Sequence, residues 1–353
     1  MDDFYDFVDY LEMVDENLEN IDVERIPRKY IRNLEDPLEK YNDDQFLKRY
    51  RFPKIIVMDK LSNLLGVHYT NNRGLSIPLI LQLLTTLRFY ATSNLQAVCG
   101  DLRGINQSTV SRIIKRVSDQ IASHFGEHVK FPHTEAEWDV IKQKFFSIAG
   151  MPGVGGCIDC THIKIQNPGG LNGEVFRNRK GWFSLNVQLV CGPQMEIQDL
   201  VVRWPGSYHD SFIFNASHAC AVFSNSNNKL LLLGDNGYAC KPYIFTPLLN
   251  PVINAEKNYN KAHIKTRNIV ERVFGVWKRK FPCLRRGLAN APKTTVSIIL
   301  ACAVLYNLSL KLRLPEFDIV GENDDEVENV DENENEDVVG AAARKAYIIR
   351  HFN

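Results

Sequence analysis

Hydrophobic and polar positions divide the chain into a helical part and a strand-rich part. From Ile77 to Ala91 the residues are largely apolar and read as a buried helix. Ser76 stands where an N-cap would, and Pro78 falls in the first turn, where a missing N–H costs nothing. Leu95, Val98 and Leu102 recur at helical spacing and predict a second helix over 95–102. Gly104-Ile105-Asn106 then reads as a turn with a cap. A third helix is predicted over 107–122, with Val110, Ile113, Ile114, Val117 and Ile121 on one face. From Gly155 the period changes to two. The stretches 157–165, 183–191 and 197–204 predict three closely spaced strands, as in an antiparallel meander, and Leu230–Leu233 a short central strand. Two helices follow. Thr266 caps one, which carries Ile269, Val270, Val273, Phe274 and Trp277; the other spans about 294–312 and is apolar enough to be buried. The pattern predicts an α/β domain preceded by an all-α region.

Four segments follow from this pattern: an acidic stretch over 1–50, partly helical; a helical region over 51–130; the α/β domain over 131–315; and an acidic, mostly disordered tail over 316–353. The apolar run Ile298–Tyr306 is shorter than a bilayer requires, and Met1-Asp2-Asp3-Phe4 is acidic where a signal peptide starts basic. Both point to an intracellular chain with no membrane partner. The eight cysteines are scattered, as in a reducing compartment. Cys157 and Cys160 form a C-x-x-C, but no second pair completes a zinc site, and they lie in a strand rather than at a helix N-terminus.

The formal net charge of zero conceals a strong asymmetry. Residues 1–24 hold ten acids and residues 316–337 hold twelve, with no Lys or Arg in either. Between 25 and 315 there are 39 Lys and Arg against 20 Asp and Glu, a net charge of +19. A body so basic suggests a polyanion such as nucleic acid as partner; the alternative is a surface charged for solubility alone. The helices fit the first reading. Two short helices joined by a Gly-containing turn, the second with a basic outer face, match a helix-turn-helix. Gln107, Ser108, Thr109 and Arg112 would face bases or phosphates in the major groove, and Lys115 and Arg116 the backbone. A plain helical hairpin would show the same pattern.

Three carboxylates stand where phosphodiester chemistry could use them. Such hydrolysis needs an activated water and a stabilised leaving oxygen, which a pair of divalent ions held by carboxylates provides. Asp159 lies inside the strand Cys157-Ile158-Asp159-Cys160-Thr161-His162, where an unpaired, metal-free carboxylate would be costly. Asp235 ends the short apolar run. Glu271 lies on a helix one turn before Gly275, which permits close approach of another element. The ordinary alternatives are that Asp235 caps the Asn236-Gly237 turn and that Glu271 pairs with Arg267. Asp210, after the third strand, is a fourth acid and an alternative to Asp235. His162 and His209 are read as supporting or structural. Arg177, Arg179, Lys180 and Trp182 are candidates to line a strand channel, or else form a solvated loop.

Several ordered motifs match one family. They are Gln107-Ser108-Thr109-Val110-Ser111-Arg112, Cys157-Ile158-Asp159-Cys160-Thr161-His162-Ile163, Asn178-Arg179-Lys180-Gly181, Ser184-Leu185-Asn186-Val187-Gln188, Pro205-Gly206-Ser207-Tyr208-His209-Asp210-Ser211, Leu233-Gly234-Asp235-Asn236-Gly237-Tyr238 and Val270-Glu271-Arg272-Val273-Phe274-Gly275. Over about 75–312 the chain resembles the PIF/Harbinger transposases and the nucleases derived from them. The resemblance implies an RNase H-like catalytic domain preceded by an all-α helix-turn-helix region. It also implies DNA-strand cleavage with Mg²⁺ or Mn²⁺ held by Asp159, Asp235 and Glu271. A Myb-like DNA-binding partner, a homo-oligomer and a location in the nucleus and cytoplasm are implied likewise. Two positions depart from the family. Cys160 replaces the usual Gly, and would either crowd the substrate or offer a thiolate to the metal. Ala91-Thr92-Ser93-Asn94 is shorter than the usual stretch before the helix-turn-helix.

Three readings stay open: an active nuclease or transposase, a non-catalytic DNA-binding or scaffold protein retaining the fold, and an RNA-directed hydrolase. The charge asymmetry makes its own prediction, that the acidic ends compete with nucleic acid for the basic body. Removing residues 1–24 and 316–337 should tighten non-specific DNA binding at low salt, measured by fluorescence anisotropy; unchanged binding would refute it.

Overall fold

The computed structural model describes residues 36–66, 77–92, 105–170, 172–225, 230–315 and 337–353. The chain divides into two compact units. One comprises Met1–His128, Ile163–Ser184 and Trp277–Asp318; the other comprises Val129–His162, Leu185–Val276 and Ile319–Asn353.

In the first unit the helices α1 (Leu79–Thr92), α2 (Gln107–Ala122) and, from later in the chain, Pro292–Lys311 pack together. The apolar face of α2 is buried as its period requires: Val110, Ile113, Ile114, Val117 and Ile121 are all inside. Tyr90 on α1 and Ser118 on α2 share a buried hydroxyl hydrogen bond of 2.6 Å, which satisfies both. Asn106 occupies the N-cap of α2, but its side chain makes no capping bond. The cap expected at Ser76, the helix expected over 95–102 and the Gly104 turn lie outside the described residues, so of the expected helix-turn-helix only the second helix, α2, is described. Pro292–Lys311 corresponds to the buried apolar helix expected over about 294–312. By length and composition alone this helix could cross a membrane, yet 72% of its apolar window is buried, the pattern of a core helix.

The second unit is built on a five-stranded mixed sheet. Its strands are β1 (Val154–Lys164), β2 (Ser184–Cys191), β3 (Ile197–Pro205), β4 (Leu231–Leu233) and β5 (Ile244–Phe245), in the order β3-β2-β1-β4-β5. β2 and β3 are antiparallel, whereas β4 runs parallel to both β1 and β5. The helices α3 (Glu135–Ala149), α4 (Asp210–Asn215) and α5 (His218–Ser224) belong to this unit, the last two carrying the chain from β3 to β4. β1, central in the order, is almost wholly buried. At Gly156 an added Cβ would come within 2.8 Å of Val190 on β2, so the two strands approach more closely than a side chain would allow. The two-residue strand β5 was too short for period-two reasoning to find.

The helix α6 (Asn254–Lys280) differs from expectation at its start. Thr266 lies in its middle, donating to the Ala262 carbonyl at 2.8 Å, and is no N-cap. The chain enters the helix twelve residues earlier, where the Glu256 carboxylate accepts from the Val252 and Ile253 amides. Tyr259, His263, Thr266, Val270, Val273 and Trp277 form one fully buried stripe at alternating spacings of four and three. Half of that stripe is polar, which hid it from a reading of apolar period. The Tyr259 hydroxyl and His263 Nε2 bond the Thr246 and Phe245 carbonyls, each at 2.9 Å. Burial pulls the His263 imidazole down to about 4, so it is neutral and Nε2–H is the donor.

The last two helices are α7, the Pro292–Lys311 helix already described, and α8 (Val338–His351). The latter lies within the segment expected to be a mostly disordered tail over 316–353. Asp337 caps α8, Arg344 is buried and donates to the Thr246 carbonyl and hydroxyl, and Tyr347 donates to Pro152. Gly340 lies so close to the Cys240 backbone that no side chain would fit. The helix packs on β5 and covers that end of the sheet.

Asp199 on β3 is largely enclosed, its side chain 13% exposed and 3.9 Å from His218. Burial pushes its carboxyl up to about 6, against a smaller opposing pull from His218. The folded chain therefore holds this proton more tightly than the unfolded chain. The resulting stabilisation is full below the ordinary carboxylate range and is lost as pH rises through about 6. In urea unfolding, Asp199→Asn should gain about 1–3 kcal/mol over the parent near pH 7 and nothing near pH 4.

Candidate active site

β1 sends its side chains alternately to two sides. Ile158 and Cys160 join the apolar cluster with Phe214, Leu232 and Tyr238, whereas Cys157 and Asp159 face α6. The Cys157 thiol reaches the Thr266 carbonyl at 3.5 Å, and one residue further along α6 Arg267 donates to Asp159 Oδ2 at 3.0 Å. Asp159 also accepts from the Cys160 amide at 2.8 Å. One helical turn on, Glu271 Oε1 takes the other arm of the same guanidinium at 2.5 Å. The Asp159 side chain is 7% exposed and that of Glu271 52%, so the bond to Asp159 is the one sheltered from water. Burial lowers the pKa of Arg267, and Asp159, Glu271 and Asp235 together outweigh it, so the guanidinium is held charged.

Asp235 reaches the same place through the sheet register. Cys157 pairs with Leu233 across the parallel strands β1 and β4. Two residues further on along each chain stand Asp159 and, just past the end of β4, Asp235, and both act on the charge of Arg267. The Asp235 carboxylate accepts from the Gly237 amide at 3.1 Å, which is the turn-capping role foreseen as its ordinary alternative. The pairing foreseen for Glu271 with Arg267 is present too. Both ordinary roles thus coexist with the convergence of Asp159, Asp235 and Glu271 about one guanidinium. Asp210, the first residue of α4, lies across Gly237 from Asp235: a Cβ there would be 3.1 Å from Asp235 Oδ1 and 3.6 Å from Asp210 Oδ2. The Asn186 amide on β2 fixes this corner, donating at 2.9 Å both to Asp210 and to the Tyr208 carbonyl.

Cys160 lies on the packed side of β1. It is 3% exposed, its sulfur lies 3.3 Å from the Tyr238 hydroxyl, and it faces away from the α6 side. Burial pushes the thiol well up, the charge of the Asp210 carboxylate and a hydrogen bond to it add to this, and the Tyr238 hydrogen bond opposes it; the group is a neutral thiol in contact with Asp210 and Tyr238. Cys157 and Cys160 point to opposite sides of the sheet, which removes the C-x-x-C as a pair.

The other predicted contact residues lie in the first unit. Gln107, Ser108 and Arg112 are exposed and Thr109 is half-buried at the start of α2. Arg112 donates to the Ser108 carbonyl, Lys115 faces Asp119 at 3.9 Å, and half-buried Arg116 donates to the Gln82 side chain on α1. Arg177 is committed locally: it forks onto Glu174 at 2.7 and 3.1 Å, donates to the Gly181 carbonyl and lies over the Phe183 ring. Asn178 ties this loop together by accepting from the Lys180 and Trp182 amides, leaving the Arg179 and Lys180 side chains exposed. Arg267 was noted in the sequence only as a neighbour of Glu271; its second arm, to a residue 108 positions away, had no sequence signal.

The donor set is chemically suited to a hard divalent cation, since every candidate ligand is a carboxylate oxygen. Among the described residues no three His, Cys, Asp or Glu side chains are grouped closely enough to hold a metal as they stand. The positive charge between Asp159 and Glu271 belongs instead to Arg267.

Comparison with known proteins agrees with this geometry. Residues 158–307 match the DDE superfamily endonuclease family, and that span contains all four acids and Arg267. The chain is 33% identical over 282 residues to the human (Homo sapiens) protein named "Putative nuclease HARBI1", covering 78% of this chain and 80% of that one. The protein of that name from Rattus norvegicus is 32% identical over 327 residues, covering 90% and 93%. "Protein ALP1-like" from Arabidopsis thaliana is 24% identical over 267 residues, covering 69% and 64%. No solved structure matches the chain. The protein carries a DDE superfamily endonuclease domain, whose fold is RNase H-like. It belongs to the family of Harbinger transposase-derived nucleases.

Because Cys160 fills the apolar side of β1, replacing it by the usual Gly removes packing and adds backbone freedom. Cys160→Gly should lose about 1–3 kcal/mol in denaturant unfolding. A gain in stability would show that the thiol crowds its surroundings.

Proposed function

We propose that the protein is a metal-dependent DNA endonuclease, a transposase or an enzyme derived from one, with Asp159, Asp235 and Glu271 as its catalytic acids. The observation that supports this reading is Arg267, whose two arms reach Asp159 and Glu271 and whose charge Asp235 also stabilises, while β1 and β4 run parallel just before Asp159 and Asp235. These carboxylates would hold Mg²⁺ or Mn²⁺, which when bound activates a water or 3′-hydroxyl and stabilises the leaving oxygen. Asn186 holds Asp210 in place beside Asp235, and Gly237 leaves the space between the two carboxylates clear. Tyr238 and Cys160 close the apolar side of the strand behind Asp159 and keep water out of it.

DNA is the partner that the family and the basic body support. Gln107, Ser108, Thr109, Arg112, Lys115 and Arg116 would meet it through a helix-turn-helix, and Arg179 and Lys180, with Arg177 bracing their loop, would meet a strand. A Myb-like partner, self-association and a nuclear as well as cytoplasmic location belong to this reading by family resemblance. One observation favours the second reading, a non-catalytic DNA-binding scaffold: Asp159 and Glu271 are already neutralised within the chain.

Nicking of supercoiled plasmid in Mg²⁺ or Mn²⁺ separates the two. The wild type should cut. Asp159→Ala, Asp235→Ala and Glu271→Ala should each lower the rate by about 100-fold or more, while Asp210→Ala retains cutting. A wild type that never cuts, with a Myb-like partner present, would establish the scaffold.

A further inference from the structure

The fork of Arg267 joins two acids that a metal would also need. Its arms reach Asp159 at 3.0 Å and Glu271 at 2.5 Å, from a side chain itself only 16% exposed. Asp159 is enclosed in the central strand, where an unpaired negative charge is strongly unfavourable. Asp235 adds its field to the same guanidinium. The site therefore carries an internal cation, delivered from α6 and placed between carboxylates that come from different parts of the sequence. A divalent ion that takes Asp159 Oδ2 or Glu271 Oε1 must displace an arm, because the guanidinium holds both of those oxygens, and Asp159 Oδ1 already accepts from the Cys160 amide.

We propose that Arg267 is a displaceable tether. It neutralises and aligns Asp159 and Glu271 while no metal is bound, and it sets the threshold of metal concentration at which the site fills. This rests on the reading of these acids as metal ligands. The tether has a direction, because the two arms differ in shelter. The arm to half-exposed Glu271 competes with water and is the first to yield, whereas the arm to Asp159 is shielded and holds longer. No side chain needs to travel far, since Arg267 and Glu271 are one turn apart on the same helix. Arg267 is thus a positioning residue, and its removal has two opposite consequences. The metal-free chain loses the countercharge of a buried acid, and the metal meets less competition.

The test compares the full chain with Arg267→Gln and Arg267→Lys, reading Mn²⁺ binding by the EPR signal of the free ion and thermal unfolding with and without Mn²⁺. Arg267→Gln should lower the melting temperature of the metal-free chain by roughly 5 °C or more. It should bind Mn²⁺ about tenfold more tightly and regain most of the lost stability when loaded. Arg267→Lys keeps one charge but cannot span both acids, and should fall between the two in both readouts. Should Arg267→Gln prove poorly folded, the Lys variant carries the comparison. Mn²⁺ binding equal to or weaker than wild type in either folded variant overturns the tether while leaving the nuclease reading intact. Absence of Mn²⁺ binding in all three proteins overturns both.

Discussion

A carboxylate inside the central strand of a sheet must be matched by positive charge, and the arrangement of the second unit follows from that need. Asp159 sits in β1 with apolar residues on both sides. Arg267 supplies the match from α6, which in turn requires α6 to lie against β1 with a fixed rotation and height. The neighbouring contact, Cys157 to the Thr266 carbonyl, sets the same height one position away. The polar part of the α6 stripe, Tyr259 and His263 on the carbonyls of Thr246 and Phe245, holds the other end of the helix against the β5 edge. Arg344 of α8 meets the same Thr246 carbonyl from the tail. The position of one buried acid is thus fixed by a helix anchored at two places.

This geometry explains why ordinary structural roles and catalytic candidacy fall on the same residues. Asp235 caps a turn and Glu271 pairs along a helix, and each is thereby held in a defined rotamer where it can serve a second purpose. Asp210 is held in a comparable way by Asn186. The alternation of β1 keeps the two aspects apart. Its α6 side carries the acid, and its other side carries Ile158 and Cys160 into an aromatic and aliphatic cluster with no ionised group of their own. The departure at Cys160 accordingly lies on this packed side, against Tyr238 and Asp210.

The first unit shows how misleading a count of basic residues can be. Several of the Arg and Lys side chains that give the body its charge are engaged within the chain: Arg116 with Gln82, Lys115 with Asp119, and Arg177 with Glu174 and the Phe183 ring. Gln107, Ser108 and Arg112 at the start of α2 remain on the surface, as do Arg179 and Lys180. A sequence shows that a residue is basic, but its partners depend on how the chain returns on itself.

Much of this protein was legible in its residues. The limits of α2 and its apolar face follow from a period of 3.6, and β1 to β4 from alternation and β-branched runs. The order of motifs showed the family, and the resemblance implied the acids Asp159, Asp235 and Glu271. What stayed hidden had physical causes. The first half of α6 is buried through Tyr259, His263 and Thr266, whose polar atoms disguise an interior stripe. Helix α8 looked like the end of an acidic tail because Arg344 is buried only by virtue of distant carbonyls. The Arg267 fork spans 108 residues of chain, and the juxtaposition of Asp159 with Asp235 depends on which strands pair and in what register. Sequence by itself determined which chemical groups this protein owns and the local periods that fold them. Only the tertiary structure decided which groups meet, because charge pairing and burial are properties of distances through space that the chain order does not contain.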